Sequence, residues 1–100
     1  MLTITQNRED GKLTLGLVGR MDALTAPELG KVIESALSGV KELVFDLKDL
    51  EYTSSAGLRQ FLMAQQIMDD QGSMIIINAN EAVLDILDET GFMDILDIEQ

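Results

Sequence analysis

Two adjacent hydroxyls, Ser54 and Ser55, stand between a short apolar run at 43–47 and a helical pattern that runs from about Ala56 to Met68. A serine at a helix start does one of two things. It caps unpaired backbone N–H groups as a structural residue, or, exposed beside those same donors, it holds or receives a phosphate. These residues alone leave both uses open. Neither serine is equipped as a nucleophile: the chain has no histidine, and none of Lys12, Lys31, Lys41 and Lys48 stands in Ser-x-x-Lys spacing with either. The lack of cysteine removes thiolate chemistry, disulfides and cysteine metal sites together, and the lack of histidine removes imidazole ligands and the usual general base at neutral pH. Gly-x-x-x-x-Gly-Lys and Gly-x-Gly-x-x-Gly are both absent, so no standard nucleotide cradle is signalled. Asp46, Asp49 and Glu51 are the carboxylates to consider for a divalent cation, but their spacing is not distinctive. The chain reads as a binding or regulatory protein, not an enzyme, with no cofactor.

Charge narrows the partners. Eighteen acidic against seven basic residues give a net charge of −11. Such a surface repels nucleic-acid phosphates and anionic lipid heads, so direct nucleic-acid binding is not expected and a basic protein partner suits it better. For many of these carboxylates solubility is a sufficient use. No run approaches the ~18 apolar residues that a membrane span needs. The amino terminus shows no basic region followed by an apolar stretch, so a cytoplasmic location without membrane insertion is expected. One hundred residues suit a single domain, 1–100, with a core built from Leu, Ile, Val, Met and Ala because only four residues are aromatic.

The elements that must position the serines follow from patterning. Residues 2–5 and 13–17 alternate as half-buried strands, joined through a polar turn at 7–11. Residues 19–23 break the alternation. Thr25 and Glu28 then fit a capping box, with Leu24 and Leu29 placed for a hydrophobic staple and Pro27 harmless in the first turn. Leu29, Val32, Ile33, Ala36 and Leu37 give that helix one apolar face, and Gly39 is a natural stop. A buried strand at 43–47 leads through a loop at 49–57 into the second helix, carried by Leu58, Phe61, Leu62, Met63, Ile67 and Met68, with Ala64 permitting a close approach to the sheet. Asp69 and Asp70 stand unfavourably at its negative end. The continuous apolar run at 73–77 predicts a strand covered on both faces. Asn80 predicts an N-cap for a third helix through Val83, Leu84, Ile86 and Leu87, ended by Thr90-Gly91, with a last short strand within 92–98. Met63, Met68 and Met74 lie in apolar patterns and read as core filler.

The fold class is therefore α/β, with a mixed, mainly parallel sheet of four to five strands and three to four helices. In such sheets function gathers at the carboxyl ends of strands. Two loops qualify, 19–25, which carries Asp22, and 49–57, which carries the serines.

These two loops together resemble the STAS domain, the family named for sulfate transporters and anti-sigma factor antagonists. The likeness rests on Gly19-x-x-Asp22-x-x-Thr25-x-x-x-Leu29 and on Ser54-Ser55-Ala56-Gly57-Leu58, about thirty residues apart, and spans nearly the whole chain. It implies an anti-sigma factor antagonist in a partner-switching module. In that family an anti-sigma factor that is also a serine kinase phosphorylates the serine two residues before the Gly-Leu pair, the unmodified form binds that partner, and a serine phosphatase restores it. Carried across on Gly57-Leu58, the phosphoacceptor is Ser55. The family often has aspartate just before this serine; Ser54 stands there instead and is a second candidate. Where many members have glycine after the Gly-Leu pair, this chain has Arg59.

The partner face implied by the resemblance takes Asp22 and Thr25 from the first loop and Tyr52, Thr53, Ser54, Ser55, Ala56, Gly57 and Arg59 from the second segment. Arg59, one turn beyond Ser55, reads as a partner for a phosphate there or as a solvated side chain on an acidic surface. Tyr52 reads as packing beneath the loop or as part of the face. A second reading of the same resemblance is a regulatory or scaffold subunit of a transporter or sensory complex. Oligomeric state is not encoded in any of these signals.

Overall fold

The computed structural model describes residues 1–99. Strand β1 (Leu2–Glu9) and strand β2 (Lys12–Met21) form an antiparallel hairpin, followed by helix α1 (Ala26–Ala36), strand β3 (Glu42–Thr53), helix α2 (Ser55–Asp69), strand β4 (Ser73–Ile77), helix α3 (Glu81–Glu89), a 3-10 turn (Phe92–Asp94) and strand β5 (Ile98–Glu99). The sheet runs β1-β2-β3-β4-β5, antiparallel at β1/β2 and parallel at every other pairing. The expected mixed, mainly parallel α/β architecture is what forms. The hairpin turn is tighter than the 7–11 loop expected, because Asp10 and Gly11 both take positive φ (45° and 83°), the backbone a two-residue turn between twisted strands requires.

All three helices contribute to one core. Leu13, Leu15 and Leu17 of β2, Leu43, Phe45 and Leu47 of β3, and Met74 and Ile76 of β4 join Leu29 and Ile33 of α1, Leu58, Phe61 and Met68 of α2, and Val83 and Leu87 of α3 in a single cluster. Phe45 and Phe61 meet edge to face with ring centroids 5.0 Å apart, locking α2 onto the middle strand. Ala64 is fully buried, as a close helix–sheet approach demands. Met68 and Met74 are buried and Met63 packs against the core, as core filler should. The strand neighbours that alternate with these core residues face the other way. Thr14, Gly16, Asp46, Ile75 and Ile77 are half-buried and Val18 is exposed. That corrects the expectation that β4 is covered on both faces: its apolar run has one buried face and one half-open one.

Two boundaries move in a way that matters for function. The alternation that ends near Gly19 and Leu47 does not end the strands: β2 continues to Met21 and β3 to Thr53. The reason is register. Gly16 pairs with Asp46 and Met21 with Thr53, so β3 spends two more residues than β2 over the same stretch, with irregularities between Gly16 and Val18 and between Gly19 and Arg20. Such bulges scramble the period-two pattern while keeping the ladder. The expected serine loop shrinks to Ser54. The expected strand at 92–98 is mostly a 3-10 turn behind Gly91 (φ 79°), leaving a two-residue β5. Asn80 does cap α3: its Oδ1 accepts from the Val83 N–H at 2.8 Å, while its Nδ2 donates to the Leu50 carbonyl at 3.0 Å. Among the described residues no helix is long and apolar enough to cross a membrane.

Candidate partner-binding site

The carboxyl ends of β2 and β3 lie side by side, with Arg20 opposite Tyr52 and Met21 opposite Thr53, and the Ser54 N–H donates to the Met21 carbonyl at 2.8 Å. One hydrogen bond thus ties the start of α2 to the end of β2, at the point where the loop into α1 begins. In that loop the Asp22 Oδ1 accepts from the Leu24 N–H (2.9 Å), the Thr25 N–H (3.0 Å) and lies 3.2 Å from the Thr25 hydroxyl. The Thr25 hydroxyl in turn accepts from the Asp22 N–H at 2.9 Å and lies 3.2 Å from the Arg20 carbonyl. Backbone N–H donors of Thr25 and Leu24 hold the Asp22 carboxyl below its ordinary value of 3.8.

This arrangement overturns the expected capping box. Thr25 makes no side-chain cap to α1, because its hydroxyl is spent backwards on Asp22 and Arg20. The expected staple is absent too: Leu29 is buried but Leu24 is 87% exposed. Once Asp22 closes the turn, the Leu24 amide points inward to the carboxylate and its side chain is left outside.

Ser54 is the N-cap of α2 in extended geometry (φ −94°, ψ 176°), yet its side chain does not cap. The Gly57 N–H, which a capping hydroxyl would reach, donates to the Ser54 carbonyl at 3.0 Å, and the Leu58 N–H shares that carbonyl at 3.1 Å. The Ser54 Oγ is buried and has no hydrogen-bond partner. Ser55 stands at the first helical position and is exposed. No acceptor for the Ser55 or Ala56 backbone N–H is found among the described residues. Gly57 explains the short Ser-Ala-Gly-Leu run physically. A Cβ there would overlap the Thr53 Oγ1 and approach the Met21 Cε to 2.7 Å and Cγ to 2.9 Å, so only glycine lets the first turn of α2 sit this low on the sheet ends.

The residues singled out from sequence therefore divide by depth. Ser55 and Arg59 are exposed; Asp22, Tyr52, Ser54 and Ala56 are half-buried; Thr25, Thr53 and Gly57 are buried beneath them as supports. Tyr52 packs under the Arg20 guanidinium, 4.8 Å from the ring centroid, an attraction of about 0.5–1 kcal/mol at an exposed site. Sequence reading passed over Arg20 and misassigned Leu24; Arg20 carried no signal until the bulged register set it opposite Tyr52. Asp46, Asp49 and Glu51 belong to no group of three potential metal ligands among the described residues. The Asp46 Oδ1 is instead 3.1 Å from both the Lys48 N–H and the Asn78 Nδ2. A cavity of about 260 Å³ lined by Thr5, Gly16, Val18, Asp46 and Lys48 lies on the half-open sheet face, away from Ser55.

Residues 4–97 match the model of a known family, described as Mlab, STAS domain. The chain belongs to the STAS domain family. The anti-sigma-B factor antagonist of Bacillus subtilis is 30% identical to this STAS chain over 96 residues, covering 95% of it and 86% of the relative. An anti-sigma factor antagonist from Mycobacterium paratuberculosis has the same fold with a TM-score of 0.89 at 21% identity, over 98% of this chain and 85% of that one. The anti-sigma factor antagonist SpoIIAA superimposes with TM-scores of 0.76 in its unphosphorylated form, at 13% identity over 98% of this chain and 88% of that one, and 0.67 in its phosphorylated form, at 12% identity over 98% and 92%.

Proposed function

We propose that this STAS domain, the whole of 1–100, is an anti-sigma factor antagonist of the cytoplasm, controlled by phosphorylation of Ser55. It is not an enzyme but a substrate and binding partner. In the unmodified state it binds an anti-sigma factor that is also a serine kinase; phosphorylation weakens that binding, and a serine phosphatase reverses the change. The observation that carries this reading is the contrast between the two serines: Ser55 is exposed at the first position of α2, whereas the Ser54 hydroxyl oxygen is buried. Ser55 is therefore the phosphoacceptor and Ser54 a support. The names of the relatives favour an anti-sigma factor as partner.

The chemistry is compatible with a fold that does not change. A phosphate adds about −1.5 to −2 charge. At the first position of α2 it meets the positive end of the helix dipole and the Ser55 and Ala56 N–H groups, so the domain accommodates it. The same charge sits next to Ser54, whose N–H is bonded to the Met21 carbonyl just before Asp22, so it adds like charge near Asp22 and bulk to the surface offered to a partner. Partner interfaces of standard size bury on the order of 1,200–2,000 Å², and one misplaced charge near the centre is enough to spoil them.

Incubation with the cognate serine kinase and ATP, read by intact mass, tests the assignment. A single added phosphate that is lost in Ser55→Ala and kept in Ser54→Ala is the expected outcome. Phosphorylation that survives Ser55→Ala contradicts it, and no phosphorylation at all moves weight to a scaffold or transporter-regulating role for the domain.

A further inference from the structure

We infer that Leu24 is the apolar anchor of the partner interface and that Asp22 is a positioning residue that holds it out. This rests on the reading above only in that a protein partner docks at the Ser55 face. Four large hydrophobic side chains are exposed among the described residues: Met1, Val18, Leu24 and Ile95. Met1 lies beside Arg20, whose backbone N–H donates to the Met1 carbonyl at 3.2 Å, but no side-chain bond within the 22–25 turn fixes it. Val18 lies on the half-open sheet face, and Ile95 follows the 3-10 turn near β5, at the other edge of the sheet. Leu24 alone of the four belongs to the turn closed by Asp22, which directly follows the Met21 carbonyl that bonds the start of α2.

Its exposure is enforced. The Leu24 side chain is 87% accessible while its amide is fixed by the Asp22 carboxylate at 2.9 Å. The next residue is fixed twice by Asp22, through its amide and its hydroxyl, and the Ala26 N–H donates to the Asp22 carbonyl at 2.8 Å. The fold uses the backbone of residue 24 and nothing of its side chain. A leucine held out by a rigid turn loses little further conformational freedom on docking, which is how a few anchors come to dominate an interface. The partner it fits presents a leucine-sized apolar pocket beside the surface that meets Ser55. Asp22 spends its Oδ1 on three groups of its own loop, so that oxygen serves the turn that holds Leu24 out.

The test measures the affinity of the purified cognate anti-sigma factor for the unmodified chain and four variants. Leu24→Ala is expected to weaken binding about tenfold or more, from the apolar area no longer buried, with an unchanged melting temperature. Asp22→Asn keeps an oxygen acceptor for the Leu24 and Thr25 amides and is expected to lose clearly less affinity than Asp22→Ala. Asp22→Ala is expected to lose affinity as Leu24→Ala does, with faster amide hydrogen exchange at Leu24, and the double variant Asp22→Ala/Leu24→Ala to lose little more than the worse single one. Parent-like binding by Leu24→Ala overturns the anchor. A loss in Asp22→Asn as large as in Asp22→Ala overturns the positioning role, since only the charge differs. Phosphorylated parent measured alongside separates the two proposals: equal binding with phosphate but weak binding by Leu24→Ala sinks the switch and leaves the anchor standing. No binding by the unmodified parent sinks both.

Discussion

Asp22 shows how a residue legible from sequence acquires a different job in the structure. Asp22-x-x-Thr25 and Thr25-x-x-Glu28 overlap, and each alone is a plausible local hydrogen-bonding pattern. Asp22 wins because the loop must leave β2 and turn at once, and its carboxylate reaches three donors within the next three residues. Those bonds depress its folded-state pKa below 3.8, so its contribution to stability is present in full above the unfolded value and fades as pH falls through the lower folded one. Urea melts across the acid range are expected to show the parent more stable than Asp22→Asn above pH 3.8, with the gap narrowing below it. At Gly57 the sequence gives only a glycine near a helix start; that Met21 and Thr53 lie directly beneath it is a long-range fact. Gly57→Ala is expected to cost about 1–3 kcal/mol, seen as a lower urea midpoint at unchanged slope.

At the scale of elements, the apolar periodicities identified every helix and four of the five strands in place, because each buries one face against a common core. The ends of β2 and β3 were hidden. Leu47, Leu50 and Thr53 are all buried at intervals of three, a spacing that reads as loop or helix until the two bulges in register account for it. The consequence is functional: the serines do not hang in a loop but follow a strand through one residue, Ser54, which leaves Ser55 at a fixed position on α2. Asn80 performs a related service for α3 by capping it and binding the Leu50 carbonyl inside the irregular part of β3. Asn80→Ala is expected to destabilise the domain by about 1–2 kcal/mol, measured by chemical denaturation, while leaving kinase recognition of Ser55 intact. The aspartates at the end of α2 find only a local use, Asp69 accepting from Gln65 at 2.8 Å.

At the scale of the molecule, charge is divided unevenly. The last basic residue is Arg59, so the later half, including α3 and β5, is acidic throughout, while Arg20 stands at the serine end of the sheet and Arg59 in the first turns of α2. On the proposed reading, a phosphate at Ser55 would act by altering a small region near two arginines within a strongly negative whole. The fold itself has little at stake, since Ser55 is exposed and no acceptor for the Ser55 and Ala56 N–H groups is found among the described residues. Phosphorylated and unmodified protein should therefore melt at nearly the same temperature and differ in what they bind. The most direct measurement is calorimetric titration of the purified anti-sigma factor with the two forms. Tight binding by the unmodified domain and at least tenfold weaker binding after phosphorylation of Ser55 is the result expected of a like-charge or steric block. Equal affinity for the two forms contradicts the account.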